Sequence, residues 1–188
     1  MARSVPNMTV IVPGDCVELA EAMRAIATYE GPVYLRMPKL LPEDVLAPRE
    51  PFSVGPARVF GDGRDVTIVA TGLTTSLALE SLEALAGEGI KARVLHTPTI
   101  KPAPVESIVQ CARETGAMVT VENHSIHGGL GGLISEIVTQ SAPVPVRRIG
   151  LPDEFGLTAP LQFQLEHFGI TVPAIVEAAR DAMAAANK

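Results

Sequence analysis

The sequence predicts an α/β fold in which helices pack on a mainly parallel sheet in three layers. Short apolar segments rich in Val, Ile and Leu alternate with longer segments whose apolar residues recur every three or four positions. The first pattern is typical of buried strands and the second of amphipathic helices. Of the 188 residues, 47% are hydrophobic and only 4% are aromatic, so the core must be built mainly from aliphatic side chains.

The first elements form a β-α-β unit, which implies a parallel pair of strands. Residues 8–12 (MTVIV) are a strand that Pro13-Gly14 ends, and Asp15 is placed to N-cap a helix with Glu18 three residues later. A second strand covers residues 33–37. The apolar face of the helix is expected to consist of Leu19, Met23 and Ile26.

This unit is too small to stand alone, because two strands and one helix cannot cover both faces and both edges of a parallel sheet. We expect it to need strands that the chain does not supply. The opening residues also lack the pattern of a secretory leader, since Asn7 and Thr9 interrupt the apolar run. Residues 1–39 therefore resemble the interior of a domain more than its beginning.

Residues 40–56 have a different composition and form a linker. Proline is frequent from position 38 to 56, and helical periodicity is lacking. Because proline stiffens the chain, we expect an ordered, extended segment that runs over a surface. The prolines are Pro38, Pro42, Pro48, Pro51 and Pro56.

Residues 57–188 return to the strand–helix alternation and are long enough for a core of their own. A hairpin is expected where strand-like runs at 57–60 and 65–70 flank an Asp-Gly pair. Thr171 is placed to N-cap the last helix. The further predicted elements are helix 75–86, strand 92–95, helix 103–114, strand 117–121, helix 133–140, strand 144–149 and helices 161–167 and 172–186.

Composition also limits the partners and the compartment. Lys and Arg number 15 against 21 Asp and Glu, and this net charge of −6 argues against nucleic acid or an anionic membrane as a partner. No apolar stretch approaches the roughly 20 residues that span a bilayer. Cys16 and Cys111 fall on separate predicted helices without a C-x-x-C spacing, so we expect buried thiols in the cytoplasm.

The glycine-rich segment 122–132 (ENHSIHGGLGG) contains several residues of the types that bind anions or metal ions. A glycine-rich loop that enters a helix can hold an anion through free N–H groups, although the lysine of a nucleotide P-loop is missing. Two histidines and a glutamate suggest a metal only weakly, because no second Cys/His cluster accompanies them. The glycines alternatively allow a tight turn and close packing, with the histidines at a subunit surface. The residues that we single out as an interface or site-rim loop are Glu122, His124, His127, Gly128 and Gly129.

Two basic residues, Arg36 and Lys39, follow the second strand at the edge where α/β sheets bind ligands. They are either ligands of an anion or solvated charges at a strand end. His96 and His167 lie near predicted element ends and are expected to be structural. Since no Ser/His/Asp or Cys/His nucleophile arrangement can be assembled, we assign no catalytic residue and no metal ligand.

Several stretches, in their order and spacing, resemble the C-terminal part of the transketolase family. They are RSVPNMTVIVPGD with GPVYLRMPK, DVTIVATG, VTVENHSIHGGLGG, and DEFG followed by LEHFGIT. The form ENHSIHGGLGG is most similar to the small bacterial and archaeal transketolases made as two separate sections. The wider pattern also resembles deoxyxylulose-phosphate synthase and the β subunit of 2-oxoacid dehydrogenases.

The resemblance implies a place for each part of the chain. Residues 1–39 would be the end of a pyrimidine-binding domain, 40–56 a linker, and 57–188 the C-terminal domain. Thiamine diphosphate and a divalent metal, Mg²⁺ or Ca²⁺, would be bound mainly by residues absent from this chain. In the family a basic residue after the second strand holds the sugar phosphate; Lys39 matches that position better and Arg36 is its near neighbour. The apolar GLTAPLQF after DEFG departs from the family pattern.

Together these observations predict part of an enzyme that transfers a two-carbon ketol unit between sugar phosphates. The chain is expected to be inactive alone and to need other sections of the enzyme in a homo- or hetero-oligomer. Two alternatives stay open: a non-catalytic assembly or regulatory module, or part of a synthase or dehydrogenase relative. The chain could also be a fragment of a longer enzyme.

Overall fold

A computed structural model describes residues 1–47 and 51–186, and strands and helices alternate along this part of the chain. The strands are β1 Thr9–Ile11, β2 Val33–Leu35, β3 Arg58–Phe60, β4 Val66–Ala70, β5 Ala92–His96, β6 Thr99–Lys101, β7 Met118–Ser125 and β8 Val146–Leu151. The helices are α1 Cys16–Ile26, α2 Thr74–Gly87, α3 Val105–Thr115, α4 Leu130–Ser141, α5 Leu161–His167 and α6 Val172–Ala186. A short 3₁₀ turn, Ala2–Ser4, precedes β1.

Three layers form around a five-stranded sheet of order β3-β5-β4-β7-β8, in which β3 alone is antiparallel to its neighbour. Successive side chains of a strand point to opposite faces. Ile68 of β4 accordingly packs with α2 and α6, whereas the adjacent Val69 packs with α3 and α4. The predicted three-layer α/β fold is confirmed.

The predicted hairpin between the strands at 57–60 and 65–70 is wrong. β3 pairs antiparallel with β5, with Arg58 opposite His96, and β4 lies between β5 and β7. Both flanks of β4 are therefore occupied by parallel strands, and β3 pairs at the outer edge of β5. An Asp-Gly pair indicates a turn, but it does not determine which strand the chain pairs with afterwards.

A second sheet of order β2-β1-β6 corrects the expectation that residues 1–39 receive no strand from this chain. β1 and β2 are parallel, as predicted, and β6 pairs antiparallel with the other side of β1. β6 follows β5 closely in sequence, so the two sheets are joined by a short connection. Val10 and Val12 also pack into the aliphatic cluster of α3 and α4.

Helix α1 begins as predicted but buries a different face. The Asp15 carboxylate accepts a hydrogen bond from Glu18 N at 2.8 Å, and the Glu18 carboxylate accepts one from Gly14 N at 2.7 Å. The buried residues of α1 are Glu18 and Ala22, whereas Met23 is exposed. The apolar spacing misled the prediction because the inner face of α1 holds a buried polar network, described below.

The described parts of the linker pack beside α1. Val45 N and Leu46 N both donate to Asp15 Oδ2, at 3.0 and 3.1 Å, and the Leu46 side chain is buried. Of the predicted linker prolines, Pro48 lies outside the described residues.

One cysteine prediction also needs correction: Cys111 is buried, but Cys16 is exposed because it is the first residue of α1 and faces outward.

Candidate functional site

A cavity of about 380 Å³ lies between the two sheets, at the ends of β1, β2 and β7 and at the beginning of α4. It is lined by five of the seven residues that the sequence singled out: Arg36, Glu122, His124, Gly128 and Gly129. Val10, Val12, Ile100 and Leu130 supply much of the apolar wall. An apolar cavity with a few converging polar groups is the usual form of a small-molecule site.

Glu122 organises the glycine-rich side of the cavity. Its carboxylate is buried and accepts hydrogen bonds from Leu130 N at 2.7 Å and Gly131 N at 2.8 Å. Burial raises the pKa of Glu122 above its ordinary value, while these two bonds and the nearby His124 and Arg36 act in the opposite direction. The chain's own carboxylate thus occupies the N-terminus of α4, so the predicted anion cradle is not available there.

Steric contacts and backbone conformation explain why glycine occupies these positions of the loop. A Cβ atom at Gly129 would overlap the Glu122 carboxylate, and one at Gly131 would lie 2.9 Å from Thr120 Oγ1. Gly128 has a φ of 74°, a conformation that favours glycine. The structural interpretation of these glycines therefore has direct geometric support.

Arg36 joins the two sheets at the cavity wall. Its guanidinium donates to Asn123 Oδ1 at 3.1 Å and to Asn123 O at 2.8 Å. Burial lowers the pKa of Arg36, and the carboxylate of Glu122 opposes that effect. Lys39 is exposed and does not line the cavity.

The histidines occupy different environments. His124 lines the cavity, and its Nδ1 lies 2.9 Å from Ser125 O. His127 is exposed and lies outside the cavity lining. His167 is exposed on α5 and stacks with Phe163.

A buried network around His96 escaped the sequence analysis. His96 is 1% exposed; its Nδ1 lies 2.8 Å from Thr75 Oγ1 and its Nε2 lies 2.9 Å from Glu18 Oε2. Hydroxyl, imidazole and carboxylate follow the order of a hydrolase triad, but Thr75 is fully buried, so no substrate reaches it. The Asp15–Glu18 capping pattern was the sole local signal, and it does not indicate a partner 78 residues away.

Arg3 fixes the mouth of the cavity. It forms two hydrogen bonds with the Glu136 carboxylate, at 2.7 and 2.8 Å, and a third with Gly128 O at 3.2 Å. Lys101 Nζ donates to Val5 O at 2.6 Å. These contacts tie the first residues of the chain to α4 and β6, and no sequence motif indicated them.

The described residues do not fit a bound diphosphate with its metal. Within residues 1–47 and 51–186, no group of three or more His, Cys, Asp or Glu is arranged to hold a metal ion. The helix N-terminus at the cavity is occupied by Glu122.

No helix within residues 1–47 and 51–186 has both the length and the apolar character needed to cross a membrane.

Comparison with known proteins identifies the family. Residues 55–175 match the family model "Transketolase, C-terminal domain". The 6-deoxy-6-sulfo-D-fructose transketolase subunit SqwH of a Clostridium species (strain MSTE9) is 40% identical over 179 residues, which is 95% of this chain and 56% of that protein. The 1-deoxy-D-xylulose-5-phosphate synthase of Heliobacterium modesticaldum is 36% identical over 182 residues, 95% of this chain and 28% of that enzyme.

A solved structure supports the same assignment. A split-gene transketolase, described as an inactive β4 tetramer, superposes with a TM-score of 0.93 at 40% identity. The match covers 98% of this chain and 60% of that one, so this chain spans little more than half the length of the transketolase relatives that it matches. The resemblance noted in the sequence is confirmed: the chain belongs to the transketolase C-terminal domain family.

Proposed function

We propose that this chain is the C-terminal section of a cytoplasmic transketolase-like enzyme that transfers a two-carbon ketol unit between sugar phosphates. Residues 1–39 would complete a pyrimidine-binding domain, 40–56 connect the domains, and 57–188 form the C-terminal domain. Other sections would bind thiamine diphosphate and a divalent metal. The name of the Clostridium relative, a transketolase subunit, and the tetramer of the solved relative support a chain that works with partners.

One observation links the proposed function to a specific site on this chain. The end of β2, with Arg36, and the end of β7, with Glu122 and His124, converge on one cavity between the two sheets. Lys39 lies three residues beyond Arg36 and is exposed, as a residue that meets a phosphate from a neighbouring section would be. A lysine would bind that phosphate as a point charge, without the bidentate fork of an arginine.

The test is reconstitution with the companion section from the same source, thiamine diphosphate, Mg²⁺, a ketose phosphate donor and an aldose phosphate acceptor. We expect ketol transfer only when both protein sections are present. Lys39→Ala should raise KM for phosphorylated substrates by about tenfold or more, because one charge-assisted contact is lost. Lys91→Ala, an exposed lysine before β5, is the matched control.

A synthase activity is the second candidate, because a deoxyxylulose-phosphate synthase is among the relatives. Pyruvate with glyceraldehyde 3-phosphate replaces the sugar phosphate pair in the same assay. Turnover of pyruvate without ketol transfer would favour the synthase or dehydrogenase relative. No companion-dependent turnover with either substrate pair would favour a non-catalytic assembly module.

A further inference from the structure

We propose that Asn123 is a positioning residue, which holds the guanidinium of Arg36 so that its remaining N–H groups can bind the phosphate of a sugar substrate in the cavity. The proposal rests on the proposed function, because it gives a residue of the C-terminal domain a role in substrate binding. Asn123 acts through Arg36 and does not itself bind the phosphate. The C-terminal domain thereby sets the orientation of a ligand that residues 1–39 carry.

Asn123 contacts both terminal nitrogens of the Arg36 guanidinium. Nη1 donates to Asn123 Oδ1 at 3.1 Å, and Nη2 donates to Asn123 O at 2.8 Å. Only the oxygen of a side-chain amide can accept from a guanidinium, so this contact also fixes which way the Asn123 amide points. One residue thus holds the planar group at two points, which restricts its rotation as well as its position.

These two contacts leave other donors of Arg36 for a ligand. A guanidinium has five N–H groups, and Asn123 accepts from two of them. In the part of the chain that the structure describes, no residue accepts from Arg36 Nε. Planar recognition of a phosphate uses two parallel N–H groups of this kind. Since Arg36 lines the cavity, its remaining donors are available to a ligand there.

The charge of Arg36 is not neutralised by its direct partners. Both acceptors on Asn123 are neutral, and no carboxylate of the described residues forms a hydrogen bond or salt bridge with Arg36. Glu122 is nearby, but its carboxylate accepts from the main chain of α4. Arg3, the other arginine that lines the cavity, forms two hydrogen bonds with the Glu136 carboxylate. Arg36 is therefore the arginine of this cavity whose charge can pair with a bound anion.

A neutral amide suits this role better than a carboxylate. Burial lowers the pKa of Arg36, because the cavity wall removes water from the charged group. A guanidinium with less water around it gains more from an oxyanion, provided that the donors are aligned with the acceptors. An aspartate at position 123 would also hold the guanidinium, but it would compete with the phosphate for the charge. Asparagine aligns the group without that competition.

Kinetics of the reconstituted enzyme test whether Asn123 acts through Arg36. Asn123→Leu keeps the size of the side chain and removes the acceptor. We expect KM for an aldose phosphate acceptor to rise about fivefold or more, with kcat changed less than about twofold. KM for the same aldose without its phosphate should not change. Added to Arg36→Gln, Asn123→Leu should have no further effect, because the two residues act as one unit.

The matched control replaces another amide by leucine. Gln140 is exposed on α4 and lies outside the cavity lining, so Gln140→Leu should change neither kinetic constant. Circular dichroism melting confirms that each variant is folded. Asn123→Ala removes the same acceptor with less apolar volume, and it replaces Asn123→Leu if that variant does not fold.

NMR titration with inorganic phosphate tests the same contact without turnover. The Nε–H signal of Arg36, assigned by its loss in Arg36→Gln, is followed in the full chain by itself. We expect a saturable shift of this signal in the unsubstituted chain. Asn123→Leu should raise the dissociation constant about threefold or more, because the guanidinium is no longer aligned. Gln140→Leu should leave the constant unchanged.

Each outcome supports or overturns the proposal. Weaker phosphate binding in Asn123→Leu, without a further KM increase in the double variant, supports it. Equal phosphate binding in both chains, no shift of the Arg36 signal, or an equal loss with the unphosphorylated aldose overturns it. A KM increase that persists in the Arg36→Gln background also overturns it and would show that Asn123 only joins the two sheets. Absence of turnover with the NMR result intact overturns the proposed function and leaves Asn123 as the positioning residue of a phosphate site.

Discussion

His96 connects three elements through its two ring nitrogens. It lies at the end of β5, contacts Thr75 on α2 and contacts Glu18 on α1, and all three side chains are buried. Glu18 in turn accepts from Gly14 N, so the network also fixes the turn before α1. Each buried polar group has a partner, which is the condition under which such a network stabilises a fold.

Removing the imidazole should therefore be costly. We expect His96→Ala to lower the free energy of unfolding by about 2–4 kcal/mol, because it leaves Thr75 and the Glu18 carboxylate buried without their partner. Urea denaturation followed by circular dichroism measures the change. His127→Ala, at an exposed histidine, should change stability by less than about 0.5 kcal/mol; an equal loss in both variants would contradict the role of the network.

The pKa of Glu122 predicts how the stability of the protein depends on pH. Its raised folded-state pKa exceeds the unfolded value of about 4.3, so its contribution to stability is full below that pH and declines as pH rises through the raised value. Carboxyl-carbon NMR titration should find this pKa above the ordinary range. Arg36→Gln should raise it further, because a nearby positive charge is removed. A pKa of Glu122 at or below about 4.3 would show that the hydrogen bonds to α4 outweigh burial.

At the scale of elements, the junction of β7 and α4 depends on the absence of a side chain at one position. We expect Gly129→Ala to cost about 2–3 kcal/mol, because its Cβ would displace the Glu122 carboxylate from the start of α4.

Gly132 is the matched control for that substitution. It lies inside α4 and has no atom closer than 3.6 Å to an added Cβ, so Gly132→Ala should stabilise the protein by about 0.5–1 kcal/mol. Thermal melting of the two variants distinguishes them by sign. A harmless Gly129→Ala would contradict the close packing described here.

The sequence predicted elements whose signals are local. Helices α5 and α6 have the predicted bounds, and Thr171 marks the start of α6, where Ala174 N donates to its Oγ1 at 3.4 Å. β6 was missed because Thr99–Lys101 is a partly polar run between Pro98 and Pro102, a pattern that indicates a loop. The hairpin at β3 was wrong because strand pairing is decided by the whole sheet, in which β5 offers the outer edge.

The candidate site was likewise predictable only where its signals are local in the sequence. Arg36 was singled out because ligands bind at strand ends, and the segment from Glu122 to Gly129 because of its glycines and histidines; they belong to different sheets, and the sequence did not bring them together. The contact from Glu122 to α4 and the pair of His96 with Glu18 depend on tertiary packing across 8 and 78 residues. No spacing rule contains that information, so only the structure reveals them.

At the scale of the whole molecule, residues 1–39 and the C-terminal domain are joined by a shared core. β6 completes the sheet of β1, Val10 and Val12 pack against α3 and α4, and Arg3 pairs with Glu136. The surface pair contributes at most about 1 kcal/mol. The shared apolar packing and the His96 network therefore carry most of the coupling.

This coupling should make unfolding a single cooperative transition. The chain has two tyrosines, Tyr29 and Tyr34, and no tryptophan, so intrinsic fluorescence reports only on residues 1–39. Far-UV circular dichroism reports mainly on the helices of residues 57–188. We expect the two urea transitions to coincide. A tyrosine transition at clearly lower urea would mean that residues 1–39 unfold separately.

The most direct test of the central claim, that this chain is one section of a transketolase-like enzyme, is native mass spectrometry of the protein purified from its own source. We expect the 19.8 kDa chain in an assembly with a companion chain that carries thiamine diphosphate. Recovery of the chain only by itself, or only with further copies of itself and without the cofactor, would contradict that claim.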